Sequence, residues 1–167
     1  MKESKTLEIL KQAILLEQRG KAFYQKVAEQ AENSAVKSFF ERMAEEEKTH
    51  IRILSDQFKS YAKNGSFQPG TFDKNESSQM VSQILDREIK DKISAASFEA
   101  AAIGAAISME KKAVDLYSER SDSAADPEEK GLYKWLSNWE QSHLSMLLDI
   151  DKALLEKVWS DNHFWPF

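Results

Sequence analysis

The chain has no cysteine among its 167 residues. That excludes disulfides, thiolate catalysis, zinc fingers and every iron site built on cysteine sulfur, from iron–sulfur clusters to rubredoxin-type centres. Glycine (5) and proline (3) are scarce, which argues against a turn-rich all-β fold and for long helices. Basic charge is not in excess either. Lys and Arg number 23 against 28 Asp and Glu, a net charge of −5, so there is no electrostatic footprint for nucleic acid. Long apolar runs are missing: the longest uncharged stretch, 100–109, is about half the ~20 residues a membrane span needs. The first ten residues carry Lys2, Glu3 and Lys5 and no apolar segment, so no signal peptide and a cytoplasmic location are expected. What is present is 41% hydrophobic and 31% charged residues, the composition of one helical domain with a sizeable core.

Four long helical patterns follow from the spacing of apolar residues. The first spans about 4–32, with Leu7, Leu10, Ile14, Tyr24 and Val27 near one face. Asn33-Ser34 supplies cap residues for the second, which reaches about 62 on a stripe of Val36, Phe39/Phe40, Met43, Leu54 and Phe58. The stretch 63–78, with Asn64-Gly65 and Pro69-Gly70, reads as a long connection. Helical pattern resumes near 79 and runs to about 120, with a break near Asp91. Asp126-Pro127-Glu128-Glu129 starts the fourth helix, with Asp as cap and Pro at the first position, and it continues to about 159. Two short connections around one long one (about 63–80) predict two antiparallel hairpins joined by a crossover. That is an all-α, ferritin-like four-helix bundle over 1–159, followed by an aromatic tail at 160–167.

The informative feature is an internal repeat. A shift of 93 residues places Glu17 on Glu110, Tyr24 on Tyr117, Glu47 on Glu140, His50 on His143 and Leu54 on Leu147, without a gap. Most other positions differ, so the retained pairs are mostly polar residues on otherwise apolar faces. Steps of three and four lead from Met43 to Glu47, His50 and Leu54 on the second helix, and from Leu136 to Glu140, His143 and Leu147 on the fourth. Glu17 and Glu110 continue the apolar faces of the first and third helices in the same way. Four carboxylates and two imidazoles are thus expected to point into one core. Bare carboxylates there cost several kcal/mol each unless something positive pairs with them. No Lys or Arg lies on these stripes; a pair of divalent cations would serve.

Glu-x-x-His sets both side chains one turn apart on one helix face. A Glu from each of two helices plus Glu-x-x-His from each of the other two forms a di-iron or di-manganese ligand set. Imidazole among the carboxylates suits iron or manganese better than calcium, with zinc a possible substitute. The plain alternative for Glu47, which belongs to the run Glu45-Glu46-Glu47, is a solvated acidic stripe; its recurrence at Glu140 weighs against that. For Tyr24 and Tyr117, two turns beyond Glu17 and Glu110, two readings stand. They are core aromatics with a hydrogen-bonded hydroxyl, or they orient ligand carboxylates. The four Trp read as packing or interface residues, and His163 in the tail as unrelated to the site.

The segments Ala13-Ile-Leu-Leu-Glu17-Gln-Arg-Gly20-Lys-Ala-Phe23-Tyr24, Glu46-Glu47-Lys-Thr-His50, Ala106-Ile-Ser-Met-Glu110-Lys-Lys and Glu140-Gln-Ser-His143 resemble the rubrerythrin branch of the ferritin-like superfamily. The nearest resemblance is to short members made of the di-iron bundle alone. It implies a non-haem protein holding two iron ions, a homodimer, in microbes that handle peroxide or oxygen stress. Full-length rubrerythrins carry a four-cysteine rubredoxin domain; without cysteine here, the expected electron donor is another protein, such as a rubredoxin. Rubrerythrins also carry a second Glu one turn from the third-helix ligand, and the positions one turn from Glu110 are Ile107 and Ala113. The resemblance therefore implies the six ligands but not the family's redox-dependent Glu/His exchange.

Three functions stand at this point. One is an oxidoreductase that reduces hydrogen peroxide, or less efficiently dioxygen, each iron supplying one electron. Another is an iron-binding or ferroxidase module, and the last a metal-free structural bundle, which the core carboxylates disfavour.

Overall fold

The computed structural model describes residues 4–70, 92–93 and 98–161. Four helices account for most of them: α1 (Lys5–Gln30), α2 (Ser34–Asn64), α3 (Phe98–Ser123) and α4 (Pro127–Asp161). Among the described residues there is no strand, and no helix is long and apolar enough to cross a membrane. The expected helical segment over 79–91 and the tail beyond 161 lie outside the described residues.

The helix starts are chemical. Ser4 Oγ accepts from the Leu7 amide (3.4 Å), Asn33 Oδ1 from those of Ala35 and Val36 (2.9 and 3.2 Å), and Asp126 Oδ1 from those of Glu128 and Glu129 (2.8 and 3.4 Å). Each oxygen satisfies amides that the first turn leaves without a carbonyl. Glu129, three residues after its cap, does not reach back to the cap amide as a capping box would. It accepts from the Arg120 guanidinium on α3 instead (2.8 and 2.5 Å), pinning the α3–α4 turn. At the other end of α2, Gly65 takes a left-handed conformation (φ 69°) and its amide donates to Tyr61 O (2.8 Å). A side chain there would be strained, so glycine ends the helix. The chain then folds back, held by Gln57, whose amide group both accepts from and donates to the backbone of Gln68.

The α1/α2 and α3/α4 hairpins each pack along their length, and α1 meets α3 between them. Two apolar clusters result. One gathers Phe39, Phe40, Met43, Ile103 and Leu147; the other gathers Leu10, Leu54, Leu132, Tyr133 and Leu136. The bundle is ferritin-like in its wiring, two hairpins around a long connection. Between the two clusters lies a layer of buried charge.

Candidate metal centre

Every acid and histidine that the 93-residue repeat singles out reaches that layer. Glu17 comes from α1, Glu47 and His50 from α2, Glu110 from α3, and Glu140 and His143 from α4; none is more than 3% exposed. The apolar stripes carry them there, because a residue in step with a core face is buried whatever its own polarity. Their ligand atoms form two overlapping groups of four, Glu17–Glu47–His50–Glu140 and Glu47–Glu110–Glu140–His143, each within 4.8 Å.

The distances show what the overlap means. Glu140 presents Oε1 to His50 Nδ1 (2.7 Å) and Oε2 to His143 Nδ1 (3.1 Å). Glu47 does the same with Oε2 (3.6 Å) and Oε1 (3.8 Å). Each of these carboxylates thus spans both halves of the layer. Glu17 and Glu110 serve one half each: Glu17 Oε2 lies 3.2 Å from His50 Nδ1, and Glu110 Oε1 lies 3.5 Å from His143 Nδ1. Sequence spacing placed the six residues together but could not separate shared members from terminal ones.

Both tyrosine hydroxyls are hydrogen-bonded inside the layer, and they cross between hairpins. Tyr24 on α1 donates to Glu110 Oε1 on α3, and Tyr117 on α3 donates to Glu17 Oε1 on α1. Each phenol bonds a terminal carboxylate while packing on an aromatic neighbour, Phe40 or Tyr133. Both readings left open include such a hydrogen-bonded hydroxyl, and both rings also belong to the apolar clusters. Tyr24→Phe and Tyr117→Phe are expected to lower metal affinity by at most about 10–100-fold, the usual range for a partner behind a ligand. Anaerobic titration of each variant with Fe(II) measures it.

Sequence reasoning missed Glu46, which it left in the Glu45–Glu47 run. Glu45 is exposed, but Glu46 is only 6% exposed and its Oε2 contacts His143 Nε2 on α4. Trp139 Nε1 donates to the same oxygen at 2.9 Å. A signal existed. Glu46 lies three residues after Met43 and four before His50, so it is as much in step with the core stripe as Glu47. Trp139, read from the sequence as a packing or interface residue, packs in the second apolar cluster and also donates its indole N–H to Glu46.

The electrostatics follow from packing anions in a dry layer. Burial, then the charges of Glu140 and Glu17, drives Glu47 well above the usual carboxylate range. Burial and Glu140 push Glu110 up to about 8, against the pull of His143. Burial opposes the charged form of Glu140 too, yet the charges of His50 and His143 and the hydrogen bond with His143 hold its pKa well below normal. Burial likewise opposes both imidazolium ions, but Glu140 at His50 and Glu110 at His143, with further carboxylate contacts, raise both pKa values well above normal. Without a cation in the layer, the two histidines carry the positive charge that the carboxylates need.

A divalent pair fits this donor set. Glu140 Oε1 is fully buried and accepts no hydrogen bond, with His50 Nδ1 near it but not aligned on it. Both Nδ1 atoms, the two shared carboxylates and the two terminal ones converge without any Lys or Arg among them. Carboxylate and imidazole together suit iron and manganese. A cavity of about 170 Å³ opens between α1 and α3 onto Glu17, Glu47 and Glu110. Gly20 forms part of its wall, and a Cβ there would sit 3.5 Å from Glu47 Cδ. Larger side chains at position 20 would therefore press on a shared carboxylate.

No curated protein and no solved structure is matched significantly by the chain. The Rubrerythrin family does match, over residues 8–151, a span that begins before Glu17 and ends after His143. With four helices wired as two hairpins and a buried carboxylate–histidine layer that could hold metal, the chain belongs to the rubrerythrin family.

Proposed function

We propose that the chain is a non-haem di-iron oxidoreductase that reduces hydrogen peroxide, or dioxygen, with electrons from a separate donor protein. The observation that carries this reading is the pair of overlapping four-residue groups sharing Glu47 and Glu140, a two-metal rather than a one-metal arrangement. Two ferrous ions held there would supply the two electrons that reduction of an O–O bond takes up.

The chain's own residues set the conditions. Glu17 with His50, and Glu110 with His143, would hold one ion each, while Glu47 and Glu140 join the two. Tyr24 and Tyr117 keep the terminal carboxylates in place. The apolar clusters on either side keep bulk water from the layer. Access is through the α1/α3 cavity, whose walls include Leu16, Met109 and Ala113 and whose small volume admits peroxide or dioxygen rather than a bulky substrate. Arg19 and Lys112, both exposed, stand at the same opening. Homodimer assembly, which the resemblance to the family implies, and a cytoplasmic setting, expected from the N-terminal sequence, belong to the same reading.

The test uses chain loaded anaerobically with Fe(II). With excess chemical reductant and peroxide, the expected result is many turnovers of peroxide per chain at two irons per chain. A single burst followed by iron uptake beyond two per chain would replace this reading with the ferroxidase one.

A further inference from the structure

The internal repeat is broken at one informative pair. A shift of 93 residues carries Glu46 onto Trp139, so the same slot beside the layer holds a carboxylate on α2 and an indole on α4. The two occupants bond to each other: Trp139 Nε1 donates to Glu46 Oε2 at 2.9 Å. Glu46 then meets the outer nitrogen of His143, Nε2. The corresponding nitrogen of His50 is fully buried and has no hydrogen-bond partner. The His50 ring packs edge-on against the Trp139 ring (centroids 4.8 Å apart) and the Trp135 ring (6.1 Å), and no carboxylate meets its Nε2. An indole N–H can only donate, so it cannot serve a histidine that must itself carry a proton on Nε2.

That proton matters because Nδ1 is the nitrogen each histidine turns toward the shared carboxylates. A histidine binding a cation through Nδ1 keeps its hydrogen on Nε2. For His143 this hydrogen donates to Glu46, which fixes the tautomer and the ring and makes Nδ1 a better donor toward a cation. For His50 it stays buried without an acceptor. Glu46 also brings one more negative charge, which acts most on His143 and less on His50.

We infer that Glu46, tethered by Trp139, is a positioning residue that makes the two metal positions unequal, the His143 position binding a divalent cation more tightly than the His50 position. The inference rests on the two-metal reading above and adds an order of affinity to it. Glu46 touches neither position directly; it acts through His143.

Single-histidine variants of the full chain separate the positions. His50→Ala leaves the His143 position and His143→Ala leaves the His50 position, and anaerobic titration with Co(II), followed by its visible absorption, gives each affinity alone. Adding Glu46→Gln, which keeps the shape and removes the charge, is expected to weaken binding by about 10–100-fold in the His50→Ala background and much less in the His143→Ala background. Equal weakening in both, or none in the first, would overturn the inference. A measurement on the unmutated chain does not depend on how the variants fold. In zinc-loaded protein, nitrogen–proton NMR of the histidine rings should show one Nε2–H far downfield and the other in the ordinary range. Trp139→Phe, which removes the tether, should shift only the downfield proton. Two alike Nε2–H signals would overturn the inference even if metal binds. A chain that binds neither cation would overturn the two-metal reading and this inference with it.

Discussion

Glutamine in place of Glu47 or of Glu140 should empty both metal positions, whereas glutamine in place of Glu17 or Glu110 should empty one. The two shared carboxylates reach both histidines, one oxygen to each, while the terminal ones reach a single histidine. Removing a shared carboxylate leaves each position one ligand short and removes the link between them. Metal content of anaerobically loaded protein should fall from two per chain to well below one for Glu47→Gln and Glu140→Gln, and to about one for Glu17→Gln and Glu110→Gln, in line with the ligand count. Peroxide reduction should fall to background in the first pair, since one ferrous ion does not supply both electrons. If either shared variant kept two irons and full rate, the assignment of shared ligands would be wrong.

Metal loading should raise the melting temperature strongly, and the rise should grow with pH. Four buried groups set the sign. Glu47 and Glu110 have folded pKa values above the ordinary 4.5, Glu110 at about 8, so keeping them in the metal-free fold becomes costlier as pH climbs through that interval. His50 and His143 have folded pKa values above 6.5; the stability they contribute is complete below 6.5 and is lost as pH rises through their folded values. Glu140 and Glu46, with lowered pKa values, contribute stability that is present above 4.5 and lost in stronger acid. Metal-free protein should therefore be most stable in mild acid and should weaken steadily from about pH 5 to beyond pH 8.

Loading reverses this, because bound cations take over the role of the imidazolium charges and displace protons. At a metal concentration 1,000-fold above Kd, each ion adds about 4 kcal/mol. At about 2–4 °C per kcal/mol for a chain of this size, two ions should raise the melting temperature at pH 7 by roughly 16–32 °C. Scanning calorimetry of metal-free and loaded protein from pH 5 to 8 checks both sign and size. Equal melting temperatures at pH 7 would contradict it.

The same electrostatics divide two variants that are alike in metal loss. Glu140 carries the negative charge lying between both imidazolium ions, so Glu140→Gln should destabilise metal-free protein by about 3–5 kcal/mol, as breaking a buried pair does. Glu47 is held protonated by burial and by its neighbours, so Glu47→Gln should leave metal-free stability unchanged or raised near pH 7. Chemical denaturation of the two metal-free variants distinguishes them.

Much of this molecule was written in local sequence. Caps at Ser4, Asn33 and Asp126 and the break at Gly65 set helix ends through contacts within a few residues, so they were readable without a fold. The six buried acid and histidine residues were readable for a related reason. Helical periodicity fixes which face a side chain occupies, and the 93-residue repeat showed that polar residues recur on the core face. What the tertiary structure decided is everything that depends on how helices distant in sequence are turned toward one another. Glu47 and Glu140 became shared, and Tyr24 and Tyr117 crossed to carboxylates of the opposite hairpin, because α1 faces α3 across the layer. Glu46 lies in step with the same core stripe as Glu47, but helical spacing alone does not tell which partner it meets. Only the approach of α4, bringing Trp139 and His143 against it, buries that carboxylate and makes the two halves of a repeated sequence unequal.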